Sequence, residues 1–164
     1  PTDSREIATT LRKEAYDFKF DFGYDVPVDI LAQRLGNQHQ SFTQNAGMRI
    51  RAVITFLIGI DEEKGPQLYK IDPAGSVTGY SACFAGPKDQ EGMNHLEKQM
   101  KQKPEPTKNE SIQLTISALQ HVLSADFKAT DLEVGVVSSD NVEFQKLTAE
   151  QIEEHLNILH DRDQ

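Results

Sequence analysis

The chain has 164 residues, with 17 Lys and Arg against 26 Asp and Glu, for a formal net charge of −9. That length can bury a real core, and the acidic excess argues against a dedicated binder of nucleic acid or of anionic membrane. Cys83 has no second cysteine with which to form an internal disulfide, and the sequence carries neither a signal peptide nor an apolar run of spanning length, so a cytoplasmic or nuclear setting is expected.

Asp3 reads as an N-cap supported by Glu6, and Ile7, Ala8, Leu11, Ala15, Phe18 and Phe22 recur at helical spacing, which predicts an amphipathic helix over 3–20. Arg5, Arg12, Lys13, Glu14 and Asp17 fall on its wet side. Pro27 opens a second helix that runs to Gln44, with Ile30, Leu31, Leu35 and Phe42 as its stripe. Gly36 within it either weakens the helix, by about 1 kcal/mol relative to alanine, or admits a close neighbour. Ala52 to Ile60 is almost continuously apolar and β-branched, which predicts a strand covered on both faces. The charged segment Asp61 to Pro66 must turn in water, and Gln67 to Ile71 resumes as a strand. Asp72-Pro73-Ala74-Gly75 is a second turn, with Gly75 able to take positive φ, and Ser76 to Ala85 reads as a third strand of an antiparallel meander.

Gly59-Ile60-Asp61, Gly65-Pro66-Gln67-Leu68-Tyr69 and Ile71-Asp72-Pro73-Ala74-Gly75 resemble the central hairpins of proteasome-type subunits, members of the N-terminal nucleophile hydrolase superfamily. Gly23-Tyr24-Asp25-Val26-Pro27-Val28-Asp29 and Thr43-Gln44-Asn45-Ala46-Gly47-Met48-Arg49 resemble the matching stretches of eukaryotic α-type subunits, most closely subunit α1 of the ring. After Arg49 most α-type chains continue with proline, a small apolar residue and glycine. Ile50 and Arg51 stand here instead, so the family's entry into the first strand does not carry over.

Met93, Leu96 and Met100 give a weak helical stripe within Glu91 to Lys101. Lys98, Lys101 and Lys103 read as a solvated helix end suited to the macrodipole, rather than as a nucleic-acid or import patch. Pro104 and Pro106 stop that helix, Thr107 with Glu110 forms a capping box for the next, and Ile112, Ile116, Leu119, Val122 and Leu123 give it an apolar face expected to lie across a sheet. Leu132 to Ser139 reads as a buried strand, Asp140-Asn141 as a turn and Phe144 to Leu147 as a short paired strand. Thr148 and Gln151 cap a last helix with Ile152, Leu156 and Leu159 inside and Glu150, Glu153, Glu154, Asp161 and Asp163 outside. Leu96-Glu97-Lys98 and Asp131 to Val137 resemble α-type chains. The loop Ser124-Ala125-Asp126-Phe127-Lys128 stands where β-type chains usually carry an Arg-Asp pair and a Ser-Gly.

Catalysis in the resembled superfamily uses an N-terminal threonine whose own amine is the base, helped by an aspartate and a lysine on early strands. Pro1 is not such a residue, and Thr2, the only tempting candidate, reads as a helix entry, so no catalytic residue is expected. His39, His95, His121, His155 and His160 never reach a metal-ligand spacing with cysteine and read as surface or rim residues, leaving no metal site. Cys83 reads as a small core residue in an apolar strand. Gly75, Gly79 and Gly86 lack the spacing of a phosphate loop, and no cofactor is expected.

The resemblance implies an α+β fold, the four-layer αββα sandwich of the N-terminal nucleophile hydrolase type, with 1–164 as a single, N-terminally incomplete α-type domain. The helices over 3–20 and 27–44 are expected on one face of the meander and those near 107–125 on the other side of the sandwich. It further implies a non-catalytic subunit of the outer α ring of the 20S proteasome core, which supports ring assembly, restricted substrate entry and the docking of regulatory caps in ubiquitin-dependent degradation. The implied partners are neighbouring α subunits and β-ring subunits, with neither nucleic acid nor membrane among them. The alternative is a catalytic β-type subunit or another N-terminal nucleophile hydrolase. Without further strands, the edge along Val134, Val136 and Val137 is expected to be open and prone to self-association.

Overall fold

The computed structural model describes residues 2–162; Pro1, and the Asp163 assigned to the outer side of the last helix, lie outside them. The chain divides into two compact units, with the boundary between Ser81 and Ala82. Each unit mixes helices with antiparallel strands, which is an α+β organisation.

In the first unit, helices α1 (Thr2–Phe22) and α2 (Val28–Gln44) precede strands β1 (Thr55–Asp61), β2 (Gly65–Ile71) and β3 (Val77–Gly79), which pair antiparallel in that order. Pro27 stands just outside α2 as its N-cap, at φ −59°, and its fixed φ sets the chain up to enter the helix. As expected, the helix pair lies on one face of the sheet, but unequally: α2 runs across all three strands, while α1 packs on α2. Ile7 of α1 nevertheless joins Ala32, Leu35 and Ile71 in one core, with Leu11, Leu57, Tyr69 and Val77 against it.

The sheet is smaller than its apolar sequence predicts. β1 starts at Thr55 rather than Ala52, because its partner β2 ends at Ile71, opposite Thr55, and no residue faces 52–54. Nor is β1 covered on both faces. Leu57 packs into the core and Gly59 lies under Val28, but Phe56 and Ile58 on the other face remain 43% and 40% exposed. β3 has three residues instead of the ten from Ser76 to Ala85. Tyr80 adds one further bond, its N–H to the Leu68 carbonyl, and then the chain leaves for the second unit, where Phe84 is part of another core.

The turn between β2 and β3 forms as its residues dictate. The Ser76 N–H donates to Asp72 Oδ1 at 2.9 Å, and Gly75, at φ +91°, donates its N–H to the Asp72 carbonyl at 3.0 Å. This turn sits against Gly36 of α2. A Cβ on Gly36 would come within 2.4 Å of Val77 Cγ2 and 2.9 Å of the Gly75 carbonyl oxygen, so of the two readings of Gly36 the close neighbour is realised.

The second unit holds α3 (Asp89–Gln102), α4 (Lys108–Leu123), a single 3-10 turn (Ala129–Asp131), the ribbon β4 (Gly135–Ser138) and β5 (Asn141–Lys146), and α5 (Ala149–Arg162). The capping box of α4 is complete, with the Thr107 hydroxyl accepting from the Glu110 N–H and the Glu110 carboxylate from the Thr107 N–H. The same exchange recurs at α5: Thr148 N–H to Gln151 Oε1 at 2.9 Å, and Gln151 N–H to Thr148 Oγ1 at 3.3 Å. α4 lies between α3 and α5 rather than across a sheet. One side of it shares a core with Phe84 and Leu96, and another joins Ala129, Ile152 and Leu156, where Val134 and Val136 of the ribbon segment pack. Leu123, expected in its apolar face, is exposed. The ribbon strands are also re-cut: Ser138 pairs with Asn141, so only Ser139 and Asp140 form the turn, and the register shifts within β4 between Val136 and Ser138.

Candidate functional site

Thr2 is the exposed first residue of α1, as expected of a helix entry. The histidines do not all lie at the surface. His39 is 1% exposed, and its Nδ1 lies 3.0 Å from the Asp72 carbonyl oxygen. Helical spacing on α2 could not reveal this, because the burial comes from a turn 33 residues further along. His95 on α3 and His121 on α4 stack, ring centroids 4.3 Å apart, while His155 is half-buried and His160 exposed. Among the described residues, no group of three or more His, Cys, Asp or Glu is placed to hold a metal ion. Cys83 lies in the loop after β3 and is half-buried, not in a strand, because β3 has already ended at Gly79. Of the three lysines, Lys101 pairs with Glu97 at 2.7 Å and Lys103 with Glu110 at 2.5 Å. Gly75 and Gly79 belong to the meander, and Gly86 lies in the loop before α3.

The departure from the family pattern at Ile50-Arg51 is built into the first unit. Arg49 donates to both carboxylate oxygens of Asp3, at 2.6 and 2.7 Å, and this hydrogen-bonded pairing holds the Asp3 carboxyl below its ordinary range. Arg51 reaches inward: Nη2 donates to Glu6 at 2.5 Å, Nη1 to Gln38 at 3.0 Å, and the guanidinium lies 4.4 Å from the centre of the Phe42 ring. The segment before β1 is thereby fastened to both helices. At the other end of α2, Lys64 of the β1–β2 turn donates to Asp29 at 2.5 Å, and this bond lowers the Asp29 pKa and raises that of Lys64.

What the described residues do offer is surface for another chain. β1 lies at an edge of its sheet, and its outer face carries Phe56 and Ile58. The β4–β5 ribbon pairs only with itself and exposes Phe144 at 62%. Tyr16 and Phe20, one helical turn apart on α1, are exposed at 70% and 80%. Unpaired strand edges beside apolar side chains are templates for association, and exposed aromatic patches mark contact surfaces. Sequence reading located the edge at β4 but missed the outer face of β1, which its uniform apolarity disguised as buried.

A family profile described as "Proteasome subunit" matches residues 1–137. The chain is 43% identical over 150 residues to the proteasome subunit alpha type-6 of Caenorhabditis elegans, an alignment that covers 92% of this chain and 61% of that one. It is 42% identical over 162 residues to the probable proteasome subunit alpha type-1 of Schizosaccharomyces pombe, covering 98% and 66%. Against the proteasome subunit alpha of Methanopyrus kandleri it is 30% identical over 152 residues, covering 93% and 60%. The chain thus spans less than two thirds of the length of these relatives. With a family match over most of its length and relatives of one type, the chain belongs to the proteasome subunit family, on its α-type side.

Proposed function

We propose that this chain acts as a non-catalytic α-type subunit in the outer ring of the 20S proteasome core. The observation that carries this reading is the α-type identity, 43% and 42%, sustained over 92% and 98% of the chain. The edge strands and apolar outer faces support it, since a ring subunit must bury such surfaces against its neighbours. The partners on this reading are adjacent α subunits and β-ring subunits, with regulatory caps engaged through the assembled ring. The role is ring assembly, restricted substrate entry and cap docking in ubiquitin-dependent degradation, in cytoplasm and nucleus. The four-layer αββα stacking and the place of subunit α1 belong to the same proposal.

The test is incorporation. A tagged form of the chain, co-expressed with the other α- and β-type subunits of its source, is expected to migrate with peptidase-active particles on native gels. Alone, it is expected to cleave no fluorogenic peptide of tryptic, chymotryptic or acidic preference. Exclusion from the particle would overturn the assembly role. Turnover by the chain alone, abolished by a threonine-directed inhibitor, would establish the catalytic alternative instead.

A further inference from the structure

Two of the three lysines toward the end of α3 are held by carboxylates, Lys101 by Glu97 and Lys103 by Glu110, but Lys98 makes no ion pair among the described residues. It lines an open groove of about 660 Å³ between α3 and α4, together with His95 and His121. The two rings stack at 27° with centroids 4.3 Å apart. Lys88, just ahead of α3, joins them; its Nζ donates to the Val122 carbonyl at 3.1 Å and lies 3.8 Å from Glu91. A chain of net charge −9 therefore gathers four groups that carry or can take a positive charge here, against the single carboxylate of Glu91, which already faces Lys88. Burial first, then the neighbouring His121 and Lys98, hold the His95 pKa below its ordinary value of 6.5. His95 Nε2 is buried and has no hydrogen-bond partner among the described residues.

We propose that this groove is an oxyanion-binding site that takes a phosphate-type ligand between Lys98, His95 and His121. An ammonium and two imidazolium N–H groups converging on one dianion form charge-assisted hydrogen bonds, and the ligand converts their mutual repulsion into shared attraction. Binding then takes up protons. The titratable groups lining the groove are Lys88, Glu91, His95 and Lys98 from α3 and its approach, and His121 from α4; Gln90 and Asn94 are its neutral polar members. The pH response is read at the two imidazoles, and affinity for a dianion of fixed charge rises as pH falls through the imidazole range.

Imidazole NMR of the chain, titrated from about pH 8 to about pH 5 in sulfate and in chloride at equal ionic strength, tests this. Sulfate is expected to raise the titration midpoints of His95 and His121 and to bind several-fold tighter at the acid end. Lys98→Gln and His121→Gln, both at exposed positions, are expected to weaken binding, whereas Lys101→Gln leaves it unchanged. Midpoints that are the same in both salts, or a sulfate response that survives Lys98→Gln, would overturn the site. Inorganic phosphate and glycerol 2-phosphate form the second arm: a site that accepts the monoester takes phosphate esters, and one that rejects it takes the free ion.

Discussion

Arg51 brings its guanidinium to 7% exposure, and the surroundings use most of its chemistry: a carboxylate, a side-chain amide and an aromatic face. Lysine can replace the charge but neither the planar fork nor the stacking on Phe42. Arg51→Lys is therefore expected to cost about 1–2 kcal/mol of stability, read as a lower urea midpoint at unchanged slope, and an unchanged midpoint would refute the role. Gly36 supplies a second case, because its neighbours are a side chain and a backbone carbonyl that cannot both retreat. Alanine would gain about 1 kcal/mol of helix propensity at this position, yet overpacking against Val77 and the Gly75 turn is expected to outweigh it. A net loss of about 1–2 kcal/mol in urea unfolding is predicted for Gly36→Ala, and a gain would show that the contact is soft. The two residues differ in how far sequence could anticipate them. A glycine inside a helical stripe raises a close approach as one of two readings, and the structure selects it. Arg51 and His39 took their roles from partners that helical or strand periodicity does not reach, Glu6 on α1 and the Asp72 turn.

At the scale of elements, what could be read was local. The caps of α4 and α5 involve residues three apart, so the pairs Thr107 with Glu110 and Thr148 with Gln151 were legible before any fold was known. Strand lengths were not legible, since a strand stops where its partner stops: Ala52 to Ile54 have no strand partner in β2 because Asp72 begins a turn. Lys103 reaches from the end of α3 to the capping Glu110, and this hydrogen bond, followed by those from the Thr107 N–H and hydroxyl, lowers the Glu110 pKa from 4.5 to about 2. With the folded value depressed, the stabilisation is present above the unfolded value and is lost as pH falls toward about 2. Glu110→Gln is thus expected to lower stability at neutral pH and to flatten the acid limb of the stability curve between pH 4.5 and about 2. Urea midpoints measured across that interval check it, and parallel acid limbs for both forms would count against the assignment. Thr107→Ala, which removes the hydroxyl half of the same box, is expected to cost about 1 kcal/mol.

For the whole molecule, the α+β class was legible from the order of patterned segments, but the division between Ser81 and Ala82 was not, because Tyr80-Ser81-Ala82 carries neither Gly nor Pro to mark a linker. Exposed apolar side chains gather at two places: Phe56 and Ile58 on the outer face of edge strand β1, and Val142 and Phe144 on the ribbon. Surfaces of this kind, flanked by unpaired backbone groups, are buried when a second chain is available. Alone at micromolar concentration, the chain is therefore expected to sediment as concentration-dependent oligomers. The substitutions Ile58→Lys and Phe144→Lys place charges on open faces, at residues that belong to none of the three core clusters, so the double variant is expected to shift toward monomer while its far-ultraviolet dichroism stays the same. A parent chain that sediments as a single monomer at all concentrations and unfolds cooperatively would show that these faces are stable in water.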